Sequence, residues 1–156
     1  MKYLNNYLLI LFLIISNTLF SQNYIGENIT IVKKQIKQSL VKNGFIIIKQ
    51  GNNHNFKQNK VTGEWNVPAK DFFEILLSQE IKIEIQWNEF NNVTNIGAFS
   101  NNEKQITKLK KIFNSNKWKY IKTEFGEDIY VYENSLISFG GPYNKYKYGL
   151  QIIAND

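Results

Sequence analysis

The sequence predicts an α+β fold, a mostly antiparallel sheet with helices packed on one face. Three observations carry that expectation. A stretch from Asn28 to Asn43 repeats apolar residues at helical spacing, with Ile29, Val32, Ile36 and Leu40 on one stripe and Lys33, Lys34, Lys37 and Lys42 largely off it. Ile81, Ile83, Ile85 and Trp87 alternate with Lys82, Glu84, Gln86 and Asn88, the period of a strand with one apolar and one wet face. The last third of the chain breaks into short apolar runs separated by tight turn signals, which join neighbouring strands antiparallel.

Taken in order, the first helix stops at Asn43-Gly44, because glycine accepts the left-handed conformation that ends a helix. Phe45-Ile46-Ile47-Ile48 then reads as a buried strand. The polar loop Gly51-Asn52-Asn53-His54-Asn55 leads to a return strand, Val61 to Val67, carrying Trp65. Pro68 suits the first turn of a short helix through about Ser78, with Asp71 and Glu74 near its positive end and Phe72, Phe73, Leu76 and Leu77 on its buried face. The strand from Ile81 turns at Asn91-Asn92 into a partner, Val93 to Phe99. Ser100-Asn101-Asn102-Glu103 has the form of a capping box, opening a helix to about Ser115 with Ile106, Leu109, Ile112 and Phe113 inward. Four strands follow: Trp118 to Thr123, Asp128 to Tyr132, Leu136 to Phe139 and Tyr146 to Ile153. The two helix-to-strand passages superpose at one constant offset in the numbering, Ile36, Leu40, Phe45 and Ile48 falling on Leu109, Phe113, Trp118 and Ile121. This suggests two α-then-β halves, 22–100 and 101–156, within one domain.

The chain has 156 residues. Residues Met1 to Ser21 read as an export signal: Lys2 is the only charge, Leu8 to Ile15 form a short apolar core, and Ser16 to Ser21 make a polar-to-small exit. The core falls short of the ~20 residues a spanning helix needs. Cleavage would leave one domain, Gln22 to Asp156, periplasmic or secreted and without a transmembrane anchor. There is no cysteine, so neither disulfides nor a lipid-modified cysteine enters, and the fold stands on packing alone. The formal net charge is +6, and every basic residue is lysine. Export and the absence of arginine's bidentate guanidinium argue against a nucleic-acid partner. The lysines read as a solvated surface.

Tyr24-Ile25-Gly26, a helix bearing Val32, Ile36 and Leu40, and Gly44-Phe45 before strands resemble two kinds of envelope module. One comprises the β-lactamase-inhibitor proteins and the small outer-membrane assembly lipoproteins that share a helix-then-sheet repeat; the other is the PASTA domain. Both bind without catalysing, so the resemblance implies a binding role.

Few residues suggest catalysis. His54 is the single histidine and stands in an Asn-rich turn without a nucleophile motif around it. With one histidine and no cysteine, no zinc or copper site of the usual kind is expected, and no cofactor. Glu124, Glu127 and Asp128 lack calcium-loop spacing. Glu80 and Glu84 share one side of their strand and Glu89 follows, the residue type a glycan-cleaving enzyme needs in pairs. Lys82 between them would neutralise that face instead. Of the aromatic residues, Trp87, Trp118, Tyr146 and Tyr148 align with apolar neighbours and read as core. Trp65 and the Gly140-Gly141-Pro142-Tyr143 turn remain as surface candidates. Asn28-Ile29-Thr30 and Asn92-Val93-Thr94 match a glycosylation sequon, as chance allows in so Asn-rich a chain. The expectation is an exported, non-catalytic binding module, such as an inhibitor or immunity-type protein, with Trp65, Tyr143, Glu84 and Glu89 as binding candidates and a protein or envelope glycan as partner. The alternatives are a small glycan hydrolase and a glycan-binding module.

Overall fold

The computed structural model describes residues 24–54, 57–58, 65–66, 71–113, 115–143 and 145–155, and the side chains of 53–71 lie outside that description. The fold is α+β. Helix α1 (Ile29–Lys42) leads into β1 (Ile47–His54), the short pair β2 (Lys57–Gln58) and β3 (Trp65–Asn66), then β4 (Asp71–Leu77), β5 (Ile81–Trp87) and β6 (Val93–Ser100). Helix α2 (Glu103–Lys110) and two 3-10 turns, Lys111–Phe113 and Ser115–Lys117, precede β7 (Lys119–Glu124), β8 (Glu127–Tyr132), β9 (Ser135–Gly140) and β10 (Tyr148–Ala154). Eight strands form one antiparallel sheet in the order β1-β4-β5-β6-β10-β9-β8-β7. Each half therefore runs from a helix into four strands of that sheet, and the halves meet where β6 pairs with β10.

Local chemistry explains the helices. Asn28 caps α1, its side-chain oxygen accepting the Thr30 N–H at 2.9 Å, which gives the first sequon asparagine a structural role. Gly44 ends the helix at φ +76°, and the Phe45 N–H returns to the Leu40 carbonyl at 3.0 Å. That bond keeps Phe45 out of the ladder, so β1 starts at Ile47 rather than at Phe45. At the second helix the cap is Asn102, not Ser100: Asn102 Oδ1 accepts the Lys104 N–H at 3.1 Å, while the buried Ser100 hydroxyl accepts the Asn102 N–H at 3.1 Å. The α-helix stops at Lys110, short of Ser115, and tightens into 3-10 turns.

The largest difference from the sequence reading lies at Asp71–Leu77. It is strand β4, not a helix, paired with β1 on one side and β5 on the other. Both neighbours need a partner ladder, and that tertiary demand overrides a local pattern short enough to suit either element. The return strand expected over Val61–Val67 is seen only at Trp65–Asn66; the rest lies outside the described residues. The run Ile46–Ile48 also differs from its expectation. β1 is the sheet edge, and Ile46 and Ile48 are exposed rather than buried.

One sheet face carries the core. Ile75, Ile83, Ala98 and Leu150 face one another across four strands, and Phe73, Ile85, Ile96, Ile152 and Ile137 across five. Ile29, Val32, Ile36 and Leu40 of α1 and Ile106 and Leu109 of α2 join the same cluster, so both helices cover that face. Tyr24 enters it too, edge-on to Phe113 at 5.9 Å between ring centres. Trp87, Trp118 and Tyr148 pack against its margin. Lysines cover the aromatic margins the helices leave. Lys33 Nζ lies 4.5 Å from the Phe73 ring centre and Lys108 Nζ 4.8 Å from that of Phe45. Lys110 Nζ sits 3.8 Å from Phe139 and 5.2 Å from Tyr130. The lysines read as plainly solvated therefore include several whose stems and charges lie over rings. Burial pushes the Lys110 ammonium down, with Asp128 opposing.

Both sheet edges carry a bulge at matched positions. Register slips between Ile47 and Lys49 in β1 and between Tyr120 and Lys122 in β7, leaving Ile48 and Ile121 as the extra residues, 65% and 50% exposed. A bulge twists an edge away from further pairing. Among the described residues no helix is long and apolar enough to cross a membrane.

The β7–β8 turn places Phe125 and Gly126 at φ 51° and 82°. A two-residue turn with both centres left-handed favours Asn-Gly, and a bulky residue there is costly. Phe125→Asn is therefore expected to raise stability by about 1 kcal/mol, seen as a rise of roughly 3–5 °C in Tm by thermal unfolding.

Candidate functional site on the open sheet face

Opposite the core, the sheet's second face is covered by neither helix. Alternation along the strands decides what it presents. Glu74, Glu84, Gly97, Gln151 and Ser138 form one row across five strands, and Leu76, Lys82, Phe99, Gly149 and Gly140 form the next. Glu74 and Glu84 stand directly opposite each other, an arrangement that destabilises a sheet when left uncompensated. Lys82 compensates it: its ammonium pairs with Glu84 and lies 3.6 Å from Glu74. Burial alone would push this lysine down, but the hydrogen bond and charge of Glu84, with Tyr146 and Glu74, hold it above the ordinary lysine range.

An aromatic group adjoins these charges. The Tyr143 and Tyr146 backbones exchange two hydrogen bonds, both 2.9 Å, which close a tight loop. The Lys147 N–H donates to Asn101 Oδ1 at 3.0 Å, tying the loop to the corner before α2. The loop folds Tyr143 back onto the sheet, its ring resting where Gly149 has no side chain; a Cβ there would collide with Tyr143 Cδ2. Phe99 lies over Gly97 in the same manner, with Cζ 2.6 Å from where a Cβ would stand. Phe99 meets Tyr143 edge-on at 5.7 Å and stacks with Tyr146 at 5.9 Å and 23°. Tyr146 is thus part of this surface, not of the core as its apolar register suggested. The Tyr143 hydroxyl is 2.9 Å from Ser138 Oγ. Burial raises the Tyr143 phenol; the Ser138 bond pulls down, and the hydrogen bond and charge of Glu127 push further up.

The face brings together two of the four binding candidates, Glu84 and Tyr143. Glu89 is elsewhere, exposed in the Asn88–Asn92 turn that Asn88 Oδ1 braces through the Phe90 and Asn92 N–H groups, both at 3.0 Å. Glu80 sits in the β4–β5 turn at φ 58° and is exposed. The side chains of Trp65 and His54 lie outside the described residues; their backbones pair with Gln58 and Asp71. Reading 71–77 as a helix hid Glu74, which only strand register places beside Glu84. Phe99 was legible as the partner-strand end but not as a lid over Gly97. Among the described residues no three His, Cys, Asp or Glu side chains are grouped to hold a metal ion. Chemically, the face offers stacked rings, a carboxylate pair bridged by one lysine and a tethered phenol: a recognition surface more than an acid–base pair. No family model, curated protein or solved structure matches the chain.

Lys82→Met is expected to lower stability at neutral pH by about 1–2 kcal/mol, between the values for exposed and buried ion pairs. Because the folded lysine is raised, its stabilisation is complete below the unfolded value of 10.5 and fades as pH rises through the folded one. Urea unfolding at stepped pH should show the two proteins converging above that value. A gap that is unchanged across the alkaline range would remove Lys82 from this role.

Proposed function

We propose that this chain is an exported binding module acting through the open face of its sheet, with a protein outside the cytoplasm as its partner, in the manner of an inhibitor or immunity-type protein. The observation that carries this reading is that neighbours within the sheet hold the face's charges and rings in place. Lys82 stands between Glu74 and Glu84, and Ser138 holds Tyr143, so charges and rings are positioned before anything binds. Pre-set aromatic groups with a charged margin are the composition of protein interfaces, and their preorganisation lowers the entropic cost of binding. The compartment follows from the export signal read at Met1–Ser21. The lysine between the two carboxylates speaks against the hydrolase alternative, which needs one of them free as an acid.

A glycan-binding reading has one observation in its favour. Phe99 and Tyr143 lie against glycines of the sheet, so each ring has one side on backbone, a geometry suited to stacking on sugar.

A photo-crosslinking residue at Gln151, on the open face, is expected to capture one extracytoplasmic protein, and Tyr146→Ala to reduce that capture at least tenfold. The same residue at Lys104, on α2, should capture none. Saturable shifts of the Phe99 and Tyr146 resonances on titration with soluble chitooligosaccharides, without a protein crosslink, would replace this reading with the glycan one. Glycan cleavage that disappears in Glu84→Gln would replace it with the hydrolase.

A further inference from the structure

At the end of α2 the helix side of the sheet gathers three rings around one ammonium group. Lys110, the last residue of α2, places Nζ 3.8 Å from the ring centre of Phe139, 5.2 Å from that of Tyr130 and 5.6 Å from that of Trp118. Three ring faces turned on one cation form an aromatic box, the arrangement that also receives quaternary ammonium groups. The box is reachable from solvent. α2 packs on β6 and β10, and beyond its end β7 is exposed along its whole length and β8 only half-buried. Lys110, Trp118, Tyr130 and Phe139 are each half-buried as well.

Bonds that do not involve the lysine fix the rings. The Trp118 indole N–H donates to the Phe113 carbonyl at 3.0 Å, and the Tyr130 phenol donates to Asp128 Oδ2 at 3.4 Å. Asp128 is held in turn by the Thr123 hydroxyl at 2.7 Å, and Tyr120 meets Tyr130 edge-on at 5.7 Å. A box braced in this way keeps its shape when its occupant leaves, which lowers the cost of taking another. Lys110 is a poor match to it. An ammonium carries three N–H donors, and among the described residues Lys110 has no hydrogen bond or ion pair, only the rings. A trimethylammonium group brings the same charge with no N–H to satisfy, so it loses less on entering.

We propose that the box of Phe139, Tyr130 and Trp118 is a binding site for a trimethylammonium group of the kind choline carries, with Lys110 as a placeholder that leaves when the ligand enters. Lys110 stands at the end of its helix, so its side chain can swing into solvent while the backbone stays in place. The charge of Asp128, which favours the lysine cation, favours the incoming one equally. Exchange trades one cation for another, so the apparent affinity is reduced by the share of molecules in which lysine holds the box. The site lies on the side of the sheet away from Phe99 and Tyr143 and is independent of what binds there.

Titration of the purified protein with choline chloride, followed by NMR at the Trp118 indole and the Tyr130 ring, tests this. The expected result is a saturable shift that sodium chloride at the same ionic strength does not produce. The neutral isostere 3,3-dimethylbutanol, with the same shape and no charge, should not produce it either. Lys110→Ala empties the box and should bind choline about tenfold more tightly or better, with circular dichroism unchanged. Tyr130→Leu should lose the response; if that variant does not fold, the comparison with Lys110→Ala decides by itself. Sedimentation with phosphatidylcholine vesicles, lost in Tyr130→Leu or reduced by excess free choline, would identify a lipid head group as the source of the ligand. Binding of choline without binding to vesicles would identify a free solute, and either source supports the site. No saturable shift in the parent protein and in Lys110→Ala, an equal response to the neutral isostere, or an affinity unchanged by Lys110→Ala would each overturn the proposal. None of these variants touches Phe99, Tyr143 or Glu84, so failure here leaves the open-face reading standing.

Discussion

Coverage is the constraint on which this structure depends. An eight-stranded sheet spans roughly 34 Å across its strands. The two helices among the described residues have 14 and 8 residues, about 21 and 12 Å of cylinder. They suffice for the central strands of one face, where Ile75, Ile83, Ala98 and Leu150 are excluded from water. At the margins of that face lysine stems and ammonium groups lie over Phe73, Phe45 and Phe139 in place of further helix. Lysine can do this because its aliphatic stem packs on apolar surface while its charge stays hydrated or sits over a ring. The all-lysine basic composition thus has a structural use at the core's rim.

The second face, covered by neither of these two helices, fixes its charges and rings from within the sheet. Its carboxylates face each other across β4 and β5 and are reconciled by Lys82. Its backbone is shielded where glycine leaves it bare: Phe99 folds over Gly97 and Tyr143 over Gly149. These two devices, an ion triad and ring-covered glycines, make the face rigid and polar at once. Rigidity of that kind is what a recognition surface requires, because little ordering remains to be done when a partner arrives.

How much of this was legible in the sequence depends on whether local pattern and tertiary demand agree. The stripe Ile29, Val32, Ile36, Leu40 and the alternation Ile81 to Trp87 are long enough to have one period, and both elements lie where that period puts them. The turns at Gly44, Asn91, Phe125-Gly126 and Glu133 coincide with residues at positive φ. Phe72-Phe73-Glu74-Ile75-Leu76-Leu77 is different. Six residues with only one polar position satisfy a buried helix face and a strand equally well, and the choice is made by β1 and β5, which lie on either side. Glu74 was lost with that choice. Tyr146 was lost for another reason: its register follows apolar neighbours, but the strand begins two residues later and the loop turns its ring onto the open face.

By itself the sequence determined what short-range physics decides: the α+β class, the strands that alternate cleanly, the turn positions, and the absence of cysteine chemistry. Tertiary structure alone decided which strands are neighbours. The pairing of β6 with β10 joins residues some fifty positions apart in the chain, and no local period encodes it. The opposition of Glu74 and Glu84, the edge positions of β1 and β7 and the seating of Tyr143 on Gly149 all follow from such pairings. Side-chain period tells a residue which face it occupies; only the assembled sheet tells it what stands beside it.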